Sequence, residues 1–557
     1  MPTVREIADR YVDRIAALDP VLATAAGIAG HDDEMTDFSP EGTAASAELA
    51  RDTRLELDGA PVNDERDRIA LAVMQDELAI VVDQFDAGER LRDVRVLASP
   101  IESIRGVFDQ MPTNTDDDWA TIATRMTKVP EALTSFQASL VEGASRGIVA
   151  ARRQALACAV TAGTWGGLEN NTPPFFVSFV DGYGGNDAAL EAKLRGAAQA
   201  ATDAYGQLAE YLRHDYAPSA SEQDGVGAER YLLSAREFNG IDLDLDETYS
   251  WGWHELHRIE HAMRAVGERI LPHRSLAEVI EFLDHDPARS IEGIANLRAW
   301  LQDLMDRTIS ELNGTHFDIP LPVQRVEAMI TPPGGAAAMY YTPPSEDFSR
   351  PGRTWYPEPV GKTRFPLWHE VSTCYHEGVP GHHLQIGQVV YLADLLNRFQ
   401  RTLVENSGHA EGWALYSERL MGELGYLDDP ADELGMLQAQ AFRAARVVVD
   451  IGLHLGKNIP HGETFHGGEQ WTPDLAIAFM LGFGGFDAPF IASEIDRYLG
   501  WPGQAISYKV GERIWLEGRD AARARHGSGF DLKDFHSRAL ALGPMGLGLL
   551  REELARL

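Results

Sequence analysis

The stretch Tyr375-His376-Glu377-Gly378-Val379-Pro380-Gly381-His382-His383-Leu384-Gln385 concentrates the residue types that metal-assisted hydrolysis uses. Two histidines and a distant glutamate are a common ligand set for catalytic zinc, with a fourth position left open for water. A glutamate directly after the first histidine is the usual base of such sites. Glu377 holds that position, and Glu411 follows within Glu411-Gly412-Trp413-Ala414.

The spacing is not the usual one. In the pattern HExxH the two histidines are four apart on one helix face, but position 380 is a proline. On an unbroken helix His382 would be rotated about 240° from His376, and His383 would lie about 10.5 Å along the axis. Zinc–nitrogen bonds of about 2.0–2.1 Å cannot span either arrangement. The intervening residues supply the remedy. Gly378 and Gly381 accept unusual dihedrals, and Pro380 removes an amide donor and clashes with a regular helix. The expectation is a break, with His376 and Glu377 ending one helical turn and His382 beginning the next. His383 is the fallback ligand. The third ligand should come from a following helix. Glu411 is favoured over Glu405 and Glu418 because small residues flank it and let that helix approach a metal.

A second constellation lies at Arg443, Arg446, Asp450 and His454, spaced by three and four on a helical stretch. Such spacing puts all four on one face. The simple reading is a solvated face. The functional one is a supporting layer, in which Asp450 orients a ligand histidine and an arginine pairs with a substrate carboxylate.

Composition excludes several classes. With 49 basic and 85 acidic residues the formal net charge is −36, which repels phosphate backbones and anionic membranes. No nucleic-acid or membrane partner is expected, and no run of about 18 apolar residues offers a membrane span. Cys158 and Cys374 are the only cysteines, too few for a disulfide framework. Met1 to Glu6 leads into an amphipathic helix without a basic and then apolar leader. A reducing, cytoplasmic setting is therefore expected.

Apolar periodicity predicts helices over 1–30 (ending at Asp19-Pro20), 42–58, 63–88, 117–144, 146–163, 186–214, 246–270, 290–313, 386–424, 431–456, 472–481, 489–498, 503–524 and 531–542. The polar stretch 217–229 is the best boundary, separating an N-terminal helical region 1–216 from a catalytic region 230–557. Between 316 and 365, Pro320, Pro322, Pro332-Pro333, Pro343-Pro344 and Pro351-Gly352 forbid long helices. Val326 to Ile330 and Ala338 to Thr342 read there as short strands. The expected fold is mostly α: a large multi-helix body with a deep groove and a small β subdomain.

Tyr375 to Gln385, Glu411 to Glu418 and Pro502 to Gly511 resemble the bacterial domain of unknown function 885 family. So do Ala25-Ala26-Gly27 through Pro40 and the loop from Tyr340-Tyr341 to Pro351-Gly352. The resemblance implies a helical, gluzincin-type zinc-peptidase-like body with a channel. A tetrahedral oxyanion needs a donor, and Tyr508 is the leading one, because helical metallopeptidases commonly use a tyrosine from a late helix; His383, Arg497 and Tyr498 are alternatives. The combined expectation is a peptidase for short peptides in which His376, His382 and Glu411 bind zinc, Glu377 is general base and Tyr508 assists. Its rivals are a hydrolase of a non-peptide amide and a catalytically silent binding protein on the same scaffold.

Overall fold

The computed structural model describes every residue except 170–171, 332–338, 359–360 and 484. It is 66% helix and 5% strand. Local chemistry sets the helix starts. Thr3 and Glu6 form a capping box at the head of Val4–Leu18. Asp19 caps Pro20–Ala25, and Ser39 caps Pro40–Asp58, each with proline in the first turn, where its missing N–H costs no bond.

The chain forms two compact units. The first comprises residues 1–234, 453–456 and 492–502. Its central helix is Ala188–Tyr211, where Leu194, Ala198, Ala201, Tyr205 and Leu208 recur at three and four and are all buried. The buried Arg125 donates to the Pro20 carbonyl at 2.8 Å and to Thr24 Oγ1 at 2.7 Å, so its charge is not left without acceptors. The stretch 117–144 is two helices, Asp116–Met126 and Val129–Ser145, with Pro130 in the first turn of the second. The polar stretch 217–229 holds a short turn at Ala217–Ser219 and the start of the helix Gly227–Asn239, and the units divide at Ser234.

The second unit comprises residues 235–452, 457–491 and 503–557. Its strands are β1 (Ser290–Glu292), β2 (Val326–Ile330), β3 (Tyr340–Thr342), β4 (Gly352–Tyr356) and β5 (Arg364–Pro366). β2, β4 and β3 make one sheet in that order, with β2 parallel to β4 and Val326 opposite Gly352. β1 pairs antiparallel with β5. The predicted strand 338–342 is β3 from Tyr340 on; Ala338 lies outside the described residues. The centre of the sheet, β4, carries no turn-bounded run long enough to announce it, and its burial simply alternates. The stretch 386–424 is not one helix but three segments, His382–Tyr391, Arg398–Thr402 and Ser407–Glu423. The first ends at Tyr391 and the second at Thr402; Asn397 and Asn406 then cap the starts of the second and third. Among the described residues, no helix is long and apolar enough to cross a membrane.

Ser407–Glu423 crosses Ser507–His526 at very close range. A methyl on Gly511 would strike the Gly408 carbonyl oxygen and come within 2.6 Å of the Gly412 Cα. Only backbone meets backbone there, so no side chain can yield. Gly511→Ala should destabilise the protein by about 1–3 kcal/mol through overpacking. Gly196→Ala, at an exposed position in mid-helix with open space around the added methyl, should stabilise by up to about 1 kcal/mol. Thermal denaturation of the two variants should give shifts of opposite sign.

Candidate metal centre

The helix Glu370–Glu377 stops at the central motif, and His382–Tyr391 restarts beyond it. The peptide Val379–Pro380 between them is cis. The break recaptures its own backbone groups. Gly381 N–H donates to Tyr375 O at 3.0 Å, and His383 N–H donates to Gly378 O at 3.0 Å. Position 381 must be glycine, because a Cβ there would strike the carbonyl oxygens of His376 and Tyr375. The Pro380 carbonyl accepts Trp413 Nε1–H at 2.8 Å and the Ser417 hydroxyl at 3.4 Å, which ties the break to the helix Ser407–Glu423.

This places His376 and His382 ring to ring, with centroids 4.8 Å apart and planes nearly perpendicular. Their Nε2 atoms lie 3.3 and 3.4 Å from one oxygen, Glu411 Oε2. Glu377 also reaches this space: ligand-type atoms of His376, Glu377 and His382 all lie within 4.8 Å of one another. Two carboxylates thus compete for the third ligand position. Glu411 is the better ligand, since a single oxygen of it faces both imidazoles. Glu377 Oε2 and Glu411 Oε2 are both buried without a hydrogen-bond partner, so each has a lone pair free for a metal ion or a proton.

Behind His376 stands Glu418. Its Oε1 lies 2.7 Å from His376 Nδ1, and its Oε2 accepts the Ser372 hydroxyl at 2.6 Å. The bonds to His376 hold the Glu418 carboxyl below its usual range against the upward push of burial. An ionised carboxylate only accepts, so Nδ1 donates to Glu418; Nε2 faces Glu411 and carries a second proton that a bound metal ion would displace. This is the arrangement by which a carboxylate fixes the tautomer and angle of a metal-binding histidine. Glu418 was expected only as a rival ligand. Its seven-residue spacing from Glu411 puts it two turns along the same face, and that spacing was the available signal.

His383 is engaged elsewhere. Its Nε2 lies 2.8 Å from Val323 O and its Nδ1 lies 2.9 Å from Tyr341 Oη. A carbonyl only accepts, so Nε2 donates and the neutral Nδ1 takes the tyrosine proton. Burial pushes His383 down to about 4, which keeps that neutral form. Around the candidate ligands the electrostatics differ. Burial alone would lower His376, yet its bonds to Glu411 and Glu418 push it up to about 9. Burial raises Glu377, while the bonds from His376 and His382 outweigh burial at Glu411 and hold it well below the usual range. Two buried carboxylates and the partly buried Glu411 around two imidazoles form a pocket that a divalent cation on Nε2, Nε2 and a carboxylate would neutralise.

The arginine stripe is not a solvated face. Arg446, Asp450 and His454 are buried and Arg443 is partly buried. Arg443 and Arg446 hold their guanidinium carbons 5.8 and 4.8 Å from the ring centroid of Tyr508, in the helix Ser507–His526. Asp450 does not take the role suggested for it: Glu418 backs His376, and Asp450 Oδ2 accepts the Gly503 N–H at 2.9 Å. His454 falls in the first unit, 3.0 Å from Tyr498 O, and burial lowers it to about 4.

The family profile described as bacterial protein of unknown function, DUF885, matches residues 20–554. The chain belongs to that family. Two solved structures share its fold. One is a protein provisionally named a lipoprotein from Colwellia psychrerythraea, at TM-score 0.84 and 22% identity, covering 100% of this chain and 99% of that one. The other is a protein of unknown function from Shewanella oneidensis, also provisionally named a lipoprotein, at TM-score 0.75 and 16% identity with 100% of both chains covered. No curated protein matches the chain.

Two substitutions separate the adjacent histidines. His382→Ala should abolish stoichiometric metal binding. His383→Ala should retain the metal but lose about 1–3 kcal/mol of stability, because the Val323 carbonyl and Tyr341 hydroxyl lose their partner. Glu418→Gln should weaken metal affinity by about 10–100-fold without removing a ligand. Competition titration against a chromogenic chelator, with a thermal melt of each variant, reads all three.

Proposed function

We propose that this member of the family is a zinc-dependent hydrolase that cleaves peptide bonds of short peptides, on a gluzincin-type plan. One observation carries the reading: His376 and His382 converge on one oxygen of Glu411, with Glu418 behind His376. Two imidazoles and a carboxylate suit zinc better than the all-oxygen cations, which favour oxygen cages. His376, His382 and Glu411 would hold it.

Zinc, when bound in such a site, acts as a Lewis acid and lowers the pKa of water. The chain's own residues do the rest. Glu377 takes the proton of the attacking water and delivers it to the leaving amine; its carboxyl, raised by burial, suits both transfers. Glu418 keeps the His376 ring from turning. Tyr508 is the proposed donor to the tetrahedral oxyanion, on a helix that packs against Ser407–Glu423. The side chains are recessed, with 4% exposure for His376, 10% for His382 and 21% for Glu411. Narrow access of that kind favours short or extended chains over folded proteins. A cytoplasmic setting remains part of the proposal. Cys158 and Cys374 are buried and unpaired, so they are protected from oxidants wherever the protein resides.

Glu377→Gln tests the reading. Zinc should stay bound at one equivalent while peptide hydrolysis falls at least ~100-fold. Unchanged hydrolysis would remove Glu377 from the mechanism. Cleavage confined to non-peptide amides would redirect the substrate class. A wild-type protein that takes up no zinc would leave the silent-scaffold alternative.

A further inference from the structure

The metal pocket leaves one cation beside it unexplained. Arg443 is partly buried, and its charge acts on both Glu377 and Glu418. Yet it is not ion-paired to either: among the described residues, no carboxylate lies within 4.0 Å of its nitrogens. Its Nη1 donates to a carbonyl of its own helix, Ala439 O, at 3.3 Å, and its Nε is buried without an acceptor. The Tyr508 ring holds the guanidinium on one side, and Arg446 shares that ring.

A guanidinium taken out of water is costly unless an anion meets it. Two guanidinium groups on one tyrosine add repulsion to that cost. The remaining donors form a planar fork, and a carboxylate is the anion that such a fork binds with two parallel bonds. The whole chain carries a net charge of −36, so an anionic substrate end gains from a local cation what the overall field costs it.

We infer that Arg443 binds the C-terminal carboxylate of the substrate beside Tyr508, making the enzyme a carboxypeptidase. This rests on the metallopeptidase reading for the cleavage step, but not for the binding step. Arg443 is here a specificity-determining residue, and the substrate class is short peptides with a free C-terminus.

The test uses the full-length protein carrying Glu377→Gln, which suppresses turnover. It is mixed with a pool of N-acetylated random tetrapeptides, supplied as free acids and as C-terminal amides. Peptides retained at equilibrium are quantified by mass spectrometry. Acids should be retained roughly 10-fold or more over amides, the worth of one charge-assisted pair. Arg443→Gln should erase the preference, and Arg443→Lys, which keeps the charge but loses the fork, should narrow it. Equal retention of the two forms, retention of neither included, overturns the assignment. So does a preference that either variant leaves unchanged. Because retention is read without turnover, an acid preference in a protein that hydrolyses nothing would sink the peptidase reading and keep the carboxylate site. Wild-type protein that cuts amides as fast as acids would sink the carboxylate site alone.

Discussion

The centre depends on one backbone carbonyl, that of Pro380. It sits in the gap between two helices, where a buried acceptor would otherwise be unpaired. Trp413 and Ser417 both donate to it. Those residues belong to the helix that also carries Glu411 and Glu418. One helix therefore supplies the lock on the break, a carboxylate facing both imidazoles and the carboxylate behind His376. The same helix lies against Ser507–His526 through Gly412 and Gly511, where nothing larger than hydrogen fits. Close approach at the glycines sets how near Glu411 and Tyr508 can come to their neighbours.

His376 and His383, seven residues apart in the motif, differ because their nitrogens meet different groups. His376 faces two carboxylates and is pushed upward; His383 faces a carbonyl and a hydroxyl and is held neutral. Burial acts on both, so the partners decide the sign. The same logic separates the glutamates. Glu411 and Glu418 face imidazoles at close range and are held low, whereas burial outweighs the nearby histidines at Glu377 and raises it. Three carboxylates of one residue type are thus distinguished by environment alone.

Much of the helical framework was legible, because apolar residues at three and four persist in helices such as Ala188–Tyr211 and Leu245–Ile270. Legibility failed where a cap or a neighbour decides. The segment 386–424 keeps helix-forming composition across two breaks, after which Asn397 and Asn406 cap new helix starts by side-chain hydrogen bonds. β4 is a strand because β2 and β3 flank it, not because of its own five residues. The stripe Arg443, Arg446, Asp450 and His454 looked amphipathic, but polar periodicity marks a face without saying what covers it. Here Tyr508 and the Gly503 amide meet three of its members.

By itself the sequence determined the chemistry on offer: the His-Glu pair, the glycine–proline break that makes an unbroken helix impossible, and the glutamate pair seven apart. Those follow from residue type and helical geometry, which are local. Tertiary structure decided the assignments: His382 rather than His383 beside Glu411, and Glu418 behind His376 rather than competing with Glu411. Each of these rests on partners drawn from distant chain positions, such as Val323 and Tyr341 for His383. Local spacing carries no record of which distant donor or acceptor a buried nitrogen will meet, and for a buried imidazole that partner is what selects the role.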